Sequence, residues 1–361
     1  MVLSIVPLLL ALGAGSASAQ PVSGPPPPPP GFEADSASFV SAQTGFVLGA
    51  RGCSEMPCTA GLERTVNGGK TWTKVPVPAV ELVPTFTSSP ATAVDAVRFE
   101  NAQDGWLFGP GLWATTDGGQ QWHREILPGE VIDVAAADGV VFAATEPADG
   151  GLLQAKLHKS QVGTTKWTLV SGVSPENALT VSGHSVWAGV SPNLWTSTDS
   201  GTHWSKLPFR CPHMELTPTA VAAASSADVA IACSDASYPQ PGSSIKKVFT
   251  SSDGGLTFQV ATGQPAEPGN VGGLAMPPGS PQVITLTASS GATYLYKSTN
   301  SGTTWSRETF SDGGLDVRDL AYVSATTGYL VHYNGGPVIA YTLGLMKTTN
   351  AGKTWTTISI P

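Results

Sequence analysis

Eight-residue stretches with Asp or Asn at their third position recur along the chain. They are "TVNGGKTW" (65–72), "TTDGGQQW" (115–122), "STDSGTHW" (197–204), "SSDGGLTF" (251–258), "STNSGTTW" (298–305) and "TTNAGKTW" (348–355). A carboxylate among hydroxyls and glycines could belong to a catalytic loop if it occurred once. Asn67, Asp117, Asp199, Asp253, Asn300 and Asn350 instead occupy six comparable places, which is the mark of architecture. The expected role is a hairpin turn, in which the side-chain oxygen accepts N–H groups of its own loop and Gly takes positive φ. On that reading Asp117→Ala lowers the melting temperature and leaves binding or hydrolysis intact where the fold survives.

A second set of acids could do chemistry. Two carboxylates about 5–10 Å apart suffice to hydrolyse a glycosidic bond, and Asp95, Asp133, Asp316 and Asp319 lie in or beside apolar runs. Period 2 puts Asp316 and Arg318 on one face of their strand and Asp319 on the other. Those two acids therefore make no pair by themselves, and all four read more simply as turn or strand-end carboxylates. The chain contains no G-x-S-x-G, H-E-x-x-H or C-x-x-C motif and no D-x-D-x-D loop, and its six His are spread singly. No cofactor and no metal site is expected.

The elements that must position these groups follow from the spacing. The last positions of the stretches are Trp72, Trp122, Trp204, Phe258, Trp305 and Trp355, spaced 50, 82, 54, 47 and 50 residues apart. The long interval hides a further unit at "LHKSQVGTTKW", where Trp167 and Ser160 are in place but Val162 replaces the Asp or Asn. Three residues before each opening Ser or Thr stands an apolar residue: Leu62, Leu112, Leu157, Leu194, Val248, Leu295 and Leu345. An earlier half, strand–turn–strand, is legible in "DAVRFENAQDGWLFG" (95–109), "VIDVAAADGVVFAA" (131–144) and "VRDLAYVSATTGYLV" (317–331). The predicted fold is all-β: a seven-bladed β-propeller of four-stranded antiparallel blades, with the eight-residue turns between third and fourth strands.

The form S/T-x-D/N-x-G-x-T-W resembles the Asp-box, or bacterial neuraminidase repeat. It is similar to that of sialidases, sortilin-type ectodomains, xyloglucan-degrading propeller hydrolases and the photosystem II assembly factor family. The added half Phe99…Gly105-Trp106-Leu107-Phe108-Gly109 most resembles the assembly-factor type. The resemblance covers about residues 36–361 and implies the propeller, while these families differ in what their loops do. Resemblance to sialidases would imply an Arg triad and an Arg-Ile-Pro stretch. No Arg-Ile-Pro occurs, and the seven arginines (Arg51, Arg64, Arg98, Arg124, Arg210, Arg307 and Arg318) yield no triad.

Residues 1–19 read as a signal peptide ending in Ala17-Ser18-Ala19, 20–35 as a Pro-rich linker with six successive prolines, and 36–361 as the propeller. Secretion makes the four cysteines two disulfides, of which Cys53–Cys58 and Cys211–Cys233 is the favoured pairing. Net charge is −8 and the 18 Lys and Arg are scattered, so nucleic acid is not an expected partner. No stretch after the leader is long and apolar enough to span a membrane. The expected function is that of a secreted, monomeric, non-catalytic scaffold that binds a protein or glycan through one rim. Its contact loops would be 50–61, 75–93, 234–246 and 262–281, with Tyr238 the first aromatic to test. The alternative is a glycoside hydrolase, sialidase-like or xyloglucanase-like, using channel carboxylates.

Overall fold

Short apolar strands separated by Gly-rich turns cannot bury two faces alone, so they stack. In the computed structural model each repeat forms one four-stranded antiparallel sheet with its strands in chain order, and among the described residues there are seven such sheets. The structure describes residues 31–361 except 54–57, 83–89, 148–154, 176–177, 190–192, 210, 212–218, 236–244, 267–268, 291, 312–316 and 335–341. Among the described residues there is no helix. The expected leader (1–19) and most of the expected linker lie outside them.

The innermost strands, one per blade, are Phe32–Phe39, Ala96–Phe99, Glu130–Ala137, Leu179–Ser182, Thr219–Ala223, Asn270–Ala275 and Val317–Tyr322. The first opens at Phe32, so residues 32–35 are strand rather than linker. The segment 270–275 is likewise strand rather than loop: its "NVGGLA" run pairs with Ile284–Ser289 around a bulge between Val271 and Leu274. Two adjacent glycines erase the apolar alternation there. In blade three Lys156–Gln161 pairs with Thr168–Leu169, so the unit that lacks the acid still forms its hairpin.

Each interface between neighbouring blades has its own apolar cluster. Phe46, Leu62, Val97 and Leu107 fill the space between blades one and two. Phe32, Val47, Tyr329 and Leu345 do the same between seven and one. In blades one, two and seven an aromatic ring at the turn of the first hairpin covers a glycine directly opposite, as Phe99 does over Gly105. A Cβ at Gly105 would lie 2.4 Å from that ring, so the site has room only for glycine. Phe99 then stacks on Phe46 of blade one, with centroids 3.5 Å apart.

Among the described residues no strand is exchanged between the first and last blades. Blade one uses residues 32–75 and blade seven residues 317–358, each complete in itself. Closure comes from side-by-side packing, from the Phe32 N–H donating to the Ile360 carbonyl at 3.2 Å, and from polar groups on the innermost strands.

Candidate functional site

Those innermost strands present an alternating set of charges. Asp35 comes from blade one, Asp95 and Arg98 from blade two, Asp133 from blade three, and Arg318 and Asp319 from blade seven. Arg318 Nη1 meets Asp35 Oδ2 at 3.1 Å across the closing interface. Asp319 Oδ1 meets Arg98 Nη1 at 2.7 Å, and its Oδ2 accepts the Ala37 N–H at 2.9 Å. Blade seven is thereby tied to both blade one and blade two.

Bulges make this possible. The pairing of the first strand slips between Ala34 and Ser36, leaving Asp35 out of register. That of the last innermost strand slips between Arg318 and Ala321, and Asp319 there has φ of +47°. Strict alternation would send Arg318 and Asp319 to opposite faces, whereas the bulge turns both toward the first two blades. A left-handed conformation is uncommon for Asp; here the ion pair and the Ala37 N–H hold it. The expectation of isolated strand-end carboxylates is corrected for Asp319: it is an inter-blade ligand. Asp316 lies outside the described residues.

The charges also set one another's protonation. Burial pushes the Asp35 carboxyl up to about 7, with Arg318 pulling down and Asp95 and Asp319 pushing up. Burial likewise raises Asp133 to about 6, against the pull of Arg98 and of the Val134 N–H, which it accepts at 2.8 Å. Asp133 is thus a carboxyl that can hold or release a proton near neutrality, which is the property of a general acid. Sequence reasoning missed Asp35 by assigning it to the linker. The signal was present in "FEADSASF", whose apolar residues already carry the strand.

The six turn residues lie far out on the blades, between third and fourth strands. Asp117 Oδ1 accepts the Gln121 N–H at 2.9 Å and the Thr115 hydroxyl at 2.8 Å. Asn67 takes the N–H groups of Lys70 and Thr71, Asn300 that of Thr304, and Asn350 that of Thr354. Asp199 binds Thr202, His203 and Ser197, and Asp253 binds Thr257 and Ser251. These bonds favour the ionised form: bonds from Thr257 hold Asp253 down at about 2, and those from His203 hold Asp199 well below the usual range. The opening hydroxyl accepts the N–H of the second glycine, as Thr348 does from Gly352 at 2.8 Å. The aromatic then reaches the preceding blade: Trp122 Nε1 donates to Pro76 O, and Trp305 Nε1 to Gly263 O.

Cys53 is bonded to Cys58 and Cys211 to Cys233, with Cα separations of 5.9 and 5.7 Å. The first pair stiffens a rim excursion. Cys58–Thr59 pairs antiparallel with Glu81–Leu82, so the expected contact loops 50–61 and 75–93 are joined as one small ribbon. Tyr238 and most of loop 234–246 lie outside the described residues.

Searches against known proteins give a fold. No protein-family model and no curated protein matches the chain. Among solved structures it is similar to YCF48 bound to D1 peptide, at 18% identity and TM-score 0.54, covering 89% of this chain and 94% of that one. YCF48 from Cyanidioschyzon merolae is similar at 14% identity and TM-score 0.54, covering 91% and 98%. An ancestral GH74 enzyme is similar at 16% identity and TM-score 0.52, covering 88% of this chain and 47% of that enzyme, so the chain spans about half its length.

Proposed function

We propose that this chain is an exported, monomeric, non-catalytic propeller that binds a protein or glycan through the rim around the blade-one ribbon. The observation that carries the reading is the use of the channel charges. Asp35 and Asp319 are engaged by Arg318 and Arg98 of other blades, so these acids serve ring closure in place of bond cleavage. What remains for recognition is the periphery, where loops project from rigid sheets. A propeller of the same fold has been solved with a bound D1 peptide, which supports peptide recognition as work such a ring can do. Two disulfides agree with an oxidising compartment, and residues 1–19 would supply the leader.

A hydrolase is the second reading, favoured by the raised Asp133 carboxyl beside other acids. One experiment separates the two. The purified chain is screened on peptide and glycan arrays and, in parallel, against xyloglucan and chromogenic glycosides. Binding without turnover, weakened by substitutions at Thr59 and Glu81 in the ribbon, supports the scaffold. Turnover abolished by Asp133→Asn in a protein that still folds overturns it.

A further inference from the structure

We propose that the groove between the outer parts of blades six and seven is a binding site for a small oxyanion: a carboxylate, sulfate or phosphate group. The groove is a concavity of about 610 Å³ whose lining includes Lys297, Trp305, Arg307, Glu308 and Lys353. It lies apart from both the channel and the blade-one ribbon, so the inference does not depend on the rim reading.

The argument begins with a comparison inside the molecule. Lys297 immediately precedes the hydroxyl that opens the blade-six turn, and Lys347 occupies the same position in blade seven. Lys347 does structural work: its Nζ donates to the Gly68 carbonyl in the next blade's turn at 3.0 Å. The corresponding partner for Lys297 would be the turn of blade seven at 350–353. Among the described residues, no hydrogen bond or ion pair ends on the Lys297 ammonium, although the residue is only 8% exposed.

What faces it is a second cation. Lys353 stands in the blade-seven turn, and burial followed by Lys353 holds the Lys297 ammonium below its ordinary pKa. Arg307, on the outermost strand Ser306–Ser311, adds a third positive charge, its guanidinium carbon 5.3 Å from the Tyr294 ring centroid. Glu308 is the carboxylate among the described lining residues. Three cations converge on one concavity of a chain whose net charge is −8. Like charges gathered on one groove repel one another. An oxyanion bridging Lys297 and Lys353 removes that repulsion, and charge-assisted bonds from each nitrogen are the strong kind.

The wall beside this point is built rather than loose. Trp305 Nε1 donates to both Gly263 O and Gly302 O at 3.2 Å, which fixes the indole. Trp305 and Arg307 also line a smaller concavity of about 320 Å³ on the side of blade five. An oxyanion carried on a larger body, such as a peptide C-terminus or an acidic sugar, has room to continue across the indole into that second space.

The test is equilibrium dialysis of the full chain with radiolabelled sulfate, phosphate and acetate at constant ionic strength. Glucuronate and a dipeptide C-terminus compete in separate arms to distinguish the sources. One saturable site is expected, with Kd on the order of 1 mM for the free ions. Lys297→Met should weaken it by about tenfold or more, Lys353→Gln by a smaller factor, and Lys347→Met should leave it unchanged. Melting curves of each variant confirm the fold, and exposed Lys353 supplies the readout if Lys297→Met does not fold. Non-saturable uptake, or equal affinity in parent and Lys353→Gln, overturns the proposal.

Discussion

Removing the Asp319 carboxylate strikes the ring at its closure. It is 9% exposed and serves two blades at once, through Arg98 at 2.7 Å and the Ala37 N–H at 2.9 Å. Asp319→Ala leaves the Arg98 guanidinium without its directly bonded counter-charge, with Asp133 and Asp95 the acids that still act on it, and a covered backbone N–H without an acceptor. Breaking a buried pair from one side costs about 3–5 kcal/mol. Arg98 keeps 34% of its side chain in water, which places the loss at the low end, about 3 kcal/mol. The folded ring spans Gly31–Pro361. At about 2.1 cal/mol/K per residue its unfolding entropy is about 0.7 kcal/mol/K, so the melting temperature should fall by about 4 °C. Asp319→Asn, which retains an oxygen for the Ala37 N–H, should lose less. Guanidinium unfolding followed by Trp fluorescence, in a double-mutant cycle with Arg98→Gln, should return a coupling of about 1–3 kcal/mol. Additive losses, or an Asp319→Ala protein melting within about 1 °C of the parent, would refute the assignment of this pair to ring closure.

Three further outcomes follow from the same geometry. The Asp133 carboxyl titrates at about 6 in the fold against an ordinary 3.8, so its stabilising contribution is complete below pH 3.8 and is lost as pH rises through 6. Asp133→Asn should flatten the stability profile over that interval, as measured by denaturant midpoints from pH 4 to 7; an unchanged profile counts against the raised carboxyl. In the blade-seven turn Ala351 has φ of +56°, so Ala351→Gly should be neutral or stabilising by up to about 1 kcal/mol. Gly352→Ala should destabilise instead, because its Cβ would meet the Tyr322 hydroxyl at 2.5 Å, and thermal melts compare the two directly. Finally, Cys233 is fully buried and Cys211 nearly so, whereas Cys53 and Cys58 are partly exposed. Mild reductant with alkylation and mass spectrometry should therefore open Cys53–Cys58 first.

Blade count and strand order were legible because each repeat carries its own turn chemistry and its own apolar residue three places earlier. The third unit shows how redundant that code is. Ser160 stays in place and bonds its own loop through Thr164 and Lys166, and the hairpin forms without the acid. The closure was not legible. Arg318 and Asp35 are 283 residues apart in sequence, and nothing local announces that they meet. The bulges at Asp35 and Asp319 break the alternation on which strand faces are assigned, so strict period 2 gives Asp319 a different face from the one it takes. Asn270–Ala275 escaped because Gly272 and Gly273 offer no apolar signal. The ribbon joining Cys58–Thr59 to Glu81–Leu82 depends on two excursions meeting, which neither excursion's composition foretells.

Because, among the described residues, each blade is built from its own strands, the chain can be rewired. Phe32 and Ile360 are hydrogen-bonded neighbours, so a short Gly/Ser linker could join them while new ends are cut between any two blades. Each such circular permutant would keep all seven sheets and all seven interfaces. It would change only which neighbouring pair of blades must find each other without a peptide link. In the native order that task falls to blades one and seven, the pair bridged by Asp35 and Arg318. A permutant opened between blades three and four would move the long-range step to an interface clustered around Val140, Phe142 and Val186, and would relieve the salt bridge of its duty in assembly.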